Sequence, residues 1–380
     1  MASTVYFTSL RTGFNNSLLT KIKRLAQAAG LQEIVREKGL TAVKVHFGER
    51  GNTAFIRPLL VRPVVDAILE AGARPFITDA GTLYPGTRGN AVDHLNTAIL
   101  NGFAYSVVGA PLIIADGIDG GDEAAVEVNL KHFKEVSIGS AIVRAQSLVS
   151  VAHFKLHEAS GFGGAIKNVG MGAASRKGKM AQHSEVAPKL VSRKCVGCGV
   201  CIEQCAQGAI SLVDRPPNVR APKRSSTKIM RIDQRLCVGC ARCIHACPRG
   251  ALNIKWSKDL PKFMEKMVEY TAGALKGKEK RSLFINFLTQ ISPACDCYPF
   301  SDAPIVGDIG ITASTDPVAI DQACADLVNS QPHLESSCLK GSEPFADKIR
   351  AVYPRIDWER QLTYASEIGI GSREYELLEI

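Results

Sequence analysis

Short apolar runs alternate with amphipathic stretches from the N-terminus to Leu190. Thr41 to Phe47 (TAVKVHF) predicts a strand, and Val61 to Ala73 (VRPVVDAILEAGA) a helix that ends near Gly72. ARPFITDAG predicts a second strand, followed by the polar loop TLYPGTRGN. APLIIADG and Ser147 to Lys155 (SLVSVAHFK) predict two more. Strand, helix, strand in this rhythm predicts an α/β fold: a mostly parallel sheet with helices on both faces. Ligands of such sheets gather beyond the carboxyl ends of the strands. That places Asp79, His153, Lys155 and His157 on the expected functional rim.

The rhythm breaks after Leu190 and resumes with a helical segment, Leu260 to Leu275. A basic turn (KGKEKR), two strand-like runs (SLFINFLTQIS and APIVGDIGITAS) and a helix, VAIDQACADLVN, follow. Thr315-Asp316-Pro317 signals the start of that helix with a capping residue and a first-turn proline. Asp316 and Asp321 are read as caps and first-turn charges. The C-terminal segment, Gly341 to Ile380, carries no motif.

Eight of the 12 cysteines lie in the interruption, in two copies of Cys-x-x-Cys-x-x-Cys-x-x-x-Cys. The copies are Cys195, Cys198, Cys201, Cys205 and Cys237, Cys240, Cys243, Cys247, and CVGCGVCIEQCAQGAISL aligns with CVGCARCIHACPRGALNI without a gap. This is the bacterial ferredoxin spacing for two [4Fe–4S] clusters, in which the fourth cysteine of each run ligates the other cluster. The assignment is Cys195, Cys198, Cys201 and Cys247 for one, and Cys237, Cys240, Cys243 and Cys205 for the other. The rival readings are two zinc sites or a disulfide framework; zinc takes four ligands in pairs and has no use for the third Cys-x-x step. Pro248 follows the last cysteine as the pattern prefers, whereas Ala206 stands at that place in the first copy. Residues 191–256 are therefore expected to form an α+β ferredoxin-type module, inserted into one α/β unit made of 1–190 and 257–380.

At 46% hydrophobic and 22% charged residues the composition is that of a globular protein. No signal peptide is evident at the N-terminus and no apolar run reaches membrane-spanning length. Free thiols and clusters call for a reducing compartment, so the expected location is cytoplasmic, in a cell short of oxygen. The net charge of +9 is concentrated: residues 191–258 hold 13 Lys+Arg against 3 Asp+Glu, the rest 33 against 34. Part of the excess offsets the clusters and part lies in PPNVRAPKRSSTK (Pro216 to Lys228). That loop has no aromatic stacking residues and belongs to no nucleic-acid module, so no nucleic acid is expected. Docking of an acidic redox partner (ferredoxin, flavodoxin or reductase) fits, and so does a solvated loop without a partner.

A second constellation begins at His153: HFKLHEASGFGGAIKNVGMGAASRKGKMAQH. It carries His153, Lys155, His157, Lys167 and His183, with Gly163 and Gly164 before Lys167-Asn168. Glycine lets backbone approach a ligand closely, cations attract anions, and imidazoles carry protons or bind metal. A phosphate-binding P-loop fails on spacing and on Met180 where Ser or Thr is required. GFGGAIK likewise lacks the dinucleotide fingerprint. Cys295-Asp-Cys297 is the other oddity: alternate strand residues share a face, which suits a metal or cofactor and strains a disulfide. His94, His132, His245 and His333 have no such company and are read as structural.

VKVHFGE, TDAGTLYPGT, HFKLHEASGFGGAIKN, the double cysteine repeat, CDCYPFSDAPIVGDIGI and STDPVAIDQAC together resemble the DUF362 iron–sulfur proteins over nearly the whole chain. The resemblance implies an α/β domain around a ferredoxin-type module, with Cys295 and Cys297 near its cleft. More remotely, GFGGAIK with His157 and His183 is similar to the Ser-Gly-Gly-x-Lys segment of nickel-pincer lactate racemases. That similarity implies a cofactor on Lys167, with His157 and His183 facing metal or substrate. Gly163 replaces the usual serine, and one catalytic histidine has no counterpart.

The expectation is an iron–sulfur oxidoreductase relaying electrons through two [4Fe–4S] clusters to a cleft. There Lys155 and Lys167 bind an anionic small molecule, His46, His153, His157 or His183 move protons, and Asp79, Gly163, Gly164, Asn168, Cys295 and Cys297 help to hold a ligand. A further metal, or a flavin or nucleotide, is an additional expectation, although no flavin fingerprint is present. The alternatives are a non-enzymatic electron carrier and a metallocofactor binding or maturation protein.

Overall fold

Eight strands build the central sheet: Ser3–Ser9 (β1), Leu40–Val45 (β2), Arg74–Asp79 (β3), Leu112–Ile114 (β4), Ser147–His153 (β5), Ser282–Leu288 (β6), Gly310–Ser314 (β7) and Tyr375–Glu379 (β8). In this computed structural model residues 2–183, 188–223, 225–254, 258–339 and 345–380 are described. Arg224 of the basic loop and Trp256, the expected end of the cysteine segment, lie outside them. The strand order is β8-β1-β7-β6-β5-β2-β3-β4. From β4 to β6 all pairs are parallel; β7 is antiparallel to both its neighbours, and β8 is parallel to β1. The sheet is thus mostly parallel, as the alternation predicts.

Both faces are covered. The helices that matter for the site and its core are Leu18–Ala28 (α1), Arg62–Glu70 (α2), Ala165–Gly170 (α3), Arg176–His183 (α4), Leu260–Leu275 (α5) and Pro317–Ser330 (α6). Successive strand side chains point to opposite faces. Val149, Val151, Ile285 and Phe287 accordingly share a core with α1 and α2, whereas Leu148 and Phe284 share another with α3, α5 and α6. All seven residues of β5 are buried, as a central strand between two helical layers requires. Asp316 caps α6, its Oδ1 accepting from the N–H groups of Val318 and Ala319 at 2.8 and 3.0 Å, and Pro317 takes the first turn.

Among the features that escape the sequence pattern are β1, β8, helix α1 and the hairpin Glu123–Glu127/Glu135–Gly139. β1 and β8 meet in register, Ser3 opposite Tyr375, so the two ends of the chain complete one edge of the sheet.

The cysteine segment has an apolar core of its own, in which Ile210, Met230, Ile244 and Leu252 pack with Leu83 and Met180 from outside. Strand Lys189–Leu190 pairs antiparallel with Leu252–Asn253, and Ile210–Asp214 with Lys228–Ile232. Helical turns Val200–Glu203 and Arg242–Ala246 start at equivalent places in the two copies, and so do the strands Ile210–Asp214 and Leu252–Asn253 that follow them. The sequence repeat is a structural repeat. Arg242 Nη2 lies 3.1 Å from Asp119 Oδ2, and His245 Nε2 3.1 Å from the Leu83 carbonyl, tying the segment to the α/β sheet.

Candidate functional site

The carboxyl ends of β2, β3 and β5 open into a cavity of about 790 Å³. Its wall includes His46, Asp79, Lys155, His157, Lys167, Asn168, His183 and Cys297, so eight of the side chains singled out from sequence converge on one space. Sequence reasoning missed Lys44, Glu49, Tyr84, Arg88, Lys179, Phe263 and Tyr298, which line it too. Six Lys or Arg against three Asp or Glu leave the wall positive, and Tyr84, Phe263 and Tyr298 add aromatic surface. A site of this size suits a small molecule or cofactor.

Most of these charges are paired. Lys44 Nζ lies 3.0 Å from Asp79 Oδ1 and donates to Asn168 Oδ1 at 2.9 Å. Asn168 Nδ2 in turn donates to the Lys44 carbonyl and to Ser150 Oγ, clipping β2 to β5. Burial alone would raise the Asp79 carboxyl, yet Lys44 and His94 hold it well below its ordinary range. Arg88 bonds Glu49 Oε2 through Nε at 3.1 Å and the Tyr84 hydroxyl through Nη2 at 2.9 Å.

Burial favours the neutral form of all three histidines of the wall. Burial, then the Arg88 cation, pushes His46 well below its usual value; its ring nitrogens face two donors, Gly48 N–H and Arg88 Nη1. Burial and Lys167 do the same for His157 and hold His183 down at about 3. His183 stacks on Phe263 with ring centroids 4.7 Å apart.

His153, expected on this rim, turns away from the cavity. Its Nδ1 donates to Asp296 at 2.9 Å and its Nε2 to the Thr289 carbonyl at 2.8 Å. Asp296, between the two cysteines, also lies 3.2 Å from Lys155 Nζ. His153 therefore positions the Cys-Asp-Cys turn and does not face a ligand.

The glycines serve packing. A Cβ on Gly164 would collide with the Asp321 carboxylate, which accepts from the N–H groups of Ala165 and Ile166 and from Asn286 Nδ2. A Cβ on Gly163 would come within 3.0 Å of Lys167 Cδ. Neither glycine lines the cavity wall; they let α3 and its lysine sit tight on the sheet.

Lys167 Nζ donates to Cys295 Sγ at 3.6 Å. Cys295 is fully buried behind the wall, where a hydrogen bond from Cys297 and the Lys167 and Lys155 cations draw its thiol down to about 5. Cys297 is pushed well above the usual thiol value by that hydrogen bond and by burial. The Lys167 contact thus favours negative charge on Cys295 over Cys297. Among the described residues, the ligating atoms of His157, Cys295 and Cys297 lie within 4.8 Å of one another.

Lys179, also on the wall, donates to the Ala174 carbonyl at 2.5 Å. Burial lowers its ammonium to about 8 against the pull of Asp116 and Asp79, with Lys44 and Arg88 adding repulsion. A lysine loses its charge as pH rises through its pKa. Anion affinity of the cavity is therefore expected to fall roughly tenfold between pH 7 and pH 9, the worth of one charged hydrogen bond. Calorimetric titration of a bound anion across that range checks it, and Lys179→Met should flatten the profile.

The eight repeat cysteines sort into two cavities. One is lined by Cys195, Cys198, Cys201 and Cys247, and the other by Cys205, Cys237, Cys240 and Cys243. Each set takes three cysteines from one copy and the fourth from the other. The loops repeat in detail: Gly197 and Gly239 both have φ +70°, and Gly199 and Ala241 also adopt positive φ. Ala209 N donates to Cys205 Sγ and Ala251 N to Cys247 Sγ, both at 3.2 Å. Burial and neighbouring thiols push Cys201 up to about 11 and Cys243 to about 12, so these thiols lose their protons readily only where a cationic centre binds the sulfur. Four sulfurs around a space with N–H donors aimed at them fit a four-iron cluster. The second cavity also touches Asp119, Glu123 and Lys177 of the α/β part. Helix α4 separates it from the large cleft, with Lys177 on one side and Lys179 and His183 on the other.

The family model described as Domain of unknown function (DUF362) matches residues 41–326. The chain belongs to this family. The DUF362 stretch runs from β2 into α6 and contains every residue of the large cavity and all eight repeat cysteines. Solved structures similar to this DUF362 protein include the following two. One, the lactate racemase apoprotein from Thermoanaerobacterium thermosaccharolyticum, is 12% identical with a TM-score of 0.35 over 76% of this chain and 51% of that one. The other, a protein from Thermotoga maritima, is 10% identical with a TM-score of 0.36 over 73% and 52%. The chain thus spans about half the length of either. Scores at this level leave its chemistry to its own side chains. No curated protein matches the chain. Among the described residues no helix is long and apolar enough to cross a membrane.

Proposed function

We propose that this DUF362 protein is an iron–sulfur oxidoreductase, with two ferredoxin-type sites serving a cleft that binds an anionic small molecule. The observation that carries this reading is the sorting of eight cysteines into two four-sulfur cavities, one of them a single helix away from a positive, ligand-sized cleft. When bound, [4Fe–4S] clusters supply electrons one at a time.

The chain's own residues do the rest. Lys155 and Lys167 attract the carboxylate or phosphate of the ligand, and Tyr84, Phe263 and Tyr298 offer faces to its apolar part. His157 and His183, kept uncharged by burial and neighbouring cations, offer ring nitrogens that can hydrogen-bond the ligand. The charges of Arg220, Lys223 and Lys228 would attract an acidic redox partner (ferredoxin, flavodoxin or reductase) in the cytoplasm.

Anaerobically reconstituted protein, reduced with dithionite and desalted, should be reoxidised by members of a panel of aromatic and aliphatic carboxylates and phosphate esters. Lys167→Met is expected to raise the half-saturating concentration at least tenfold, the cost of one charge-assisted contact. Reversing the charges of Arg220, Lys223 and Lys228 should slow only reduction by a partner protein. An unchanged response in Lys167→Met, with the basic-loop variant inert toward every partner, would make the protein an electron carrier and end the enzyme reading.

A further inference from the structure

The geometry points to a single-metal site in the wall of the cleft, formed by His157, Cys295 and Cys297 and suited to zinc. The three ligating atoms already lie within 4.8 Å of one another. A tetrahedral zinc ion with Zn–S of about 2.3 Å and Zn–N of about 2.0 Å holds its ligands under about 4 Å apart, so only small side-chain shifts are needed. Two sulfurs and one imidazole are a soft-to-borderline donor set that selects zinc over magnesium or calcium.

Three protein ligands leave a fourth position. His157 and Cys297 both line the cavity, whereas Cys295 is fully buried behind it. The open position therefore faces the cleft, the arrangement of a zinc that engages a ligand rather than one that holds a fold together. Two thiolates neutralise the ion. Lys167, 3.6 Å from Cys295 Sγ, then remains as a cation donating to a bound sulfur. Such outer contacts orient ligands and tune a metal, and here the surplus positive charge favours an anion at the open position.

The cysteine pair is held ready by neighbours. Asp296 is fixed between them by His153 and Lys155, and Tyr84 Oη donates to the Cys297 carbonyl at 3.2 Å. Nδ1 of His157 accepts the Ala159 N–H at 3.1 Å. Ligation through Nε2 moves the ring proton to Nδ1 and trades that contact for a metal bond. This inference does not rest on the electron-transfer reading, because it uses none of the eight repeat cysteines; with zinc bound, His157 is a metal ligand and His183 remains to contact the cleft ligand.

The test uses anaerobically purified protein carrying its iron, incubated with Zn²⁺ and desalted. About one zinc per chain is expected beside about eight irons, and zinc K-edge absorption should show two sulfurs near about 2.3 Å and a nitrogen near about 2.0 Å. Cys297→Ser and Cys295→Ser should each lower retained zinc at least tenfold with the iron count unchanged, and Cys338→Ser should retain it. A zinc shell of four sulfurs would place the ion in a ferredoxin-type cavity and overturn the proposal. So would zinc lost on desalting, or thiol counting that shows Cys295 and Cys297 joined as a disulfide. The absorption measurement on unaltered protein decides the matter even if a variant does not fold.

Discussion

Cys247→Ala is expected to remove the same iron atoms as Cys195→Ala, although the two positions sit in different copies of the repeat. Both line one cavity with Cys198 and Cys201. Cys205→Ala should likewise match Cys237→Ala, because those residues share the other cavity with Cys240 and Cys243. Each substitution lowers iron from about eight to about four atoms per chain. Each also removes one of two paramagnetic signals from the dithionite-reduced protein. The diagnostic result is the pairing: Cys205 with the second copy and Cys247 with the first. If Cys205→Ala instead reproduced Cys195→Ala, every cluster would belong to its own copy and the arrangement of both cavities would be wrong. Zinc in place of iron, with colourless protein, would dispose of the clusters altogether.

Gly170→Ala should be among the most damaging substitutions in the glycine-rich segment, although Gly170 lines none of the three cavities. An added Cβ there meets the Met267 carbonyl of α5 and stands 2.5 Å from Thr271 Oγ1. A backbone carbonyl inside a 16-residue helix cannot step aside, so α3 must lift off α5. Overpacking of this kind costs about 2–3 kcal/mol. It should also disturb Lys167 and Asn168, which α3 carries. Gly307→Ala, with open space around it and no positive φ, should change stability by less than about 0.5 kcal/mol. Urea unfolding of the two variants provides the comparison. Equal midpoints would show that α3 and α5 are packed more loosely than their contacts require.

Much of this architecture is legible in the chain because its signals are local. β2, β3, β5, β6, α5 and α6 each announce themselves by alternation, by an apolar run or by a cap and proline. The division of the cysteines follows from spacing alone. β1 and β8 are not legible, since what makes them strands is their pairing across the full length of the chain. In the cleft, Asp79, Lys155, His157 and Lys167 stand out as charged or imidazole groups at strand ends or among glycines. Lys44 and Arg88 do not, because one sits inside a strand and the other in an ordinary polar loop. A lysine within an otherwise apolar run was the available signal for Lys44, since such a side chain is buried only when paired. His153 misleads for the opposite reason. Its partner Asp296 is far away along the chain, and nothing nearby reveals that the ring is already committed. The glycines look like a ligand cradle, yet Gly164 and Gly170 are shaped by protein neighbours that only folding brings close.

Helix α4 is eight residues long, a partition about 10–12 Å across. The second cysteine cavity and the large cleft share it as a common bulkhead, with Met180 close to Gly239 beside Cys240 and His183 stacked on Phe263 at the far end. Whatever enters the cleft leans on the same two turns that the inner cysteine set rests upon. A ligand in the cleft and a cluster in the cysteine cavity would therefore press on one shared wall.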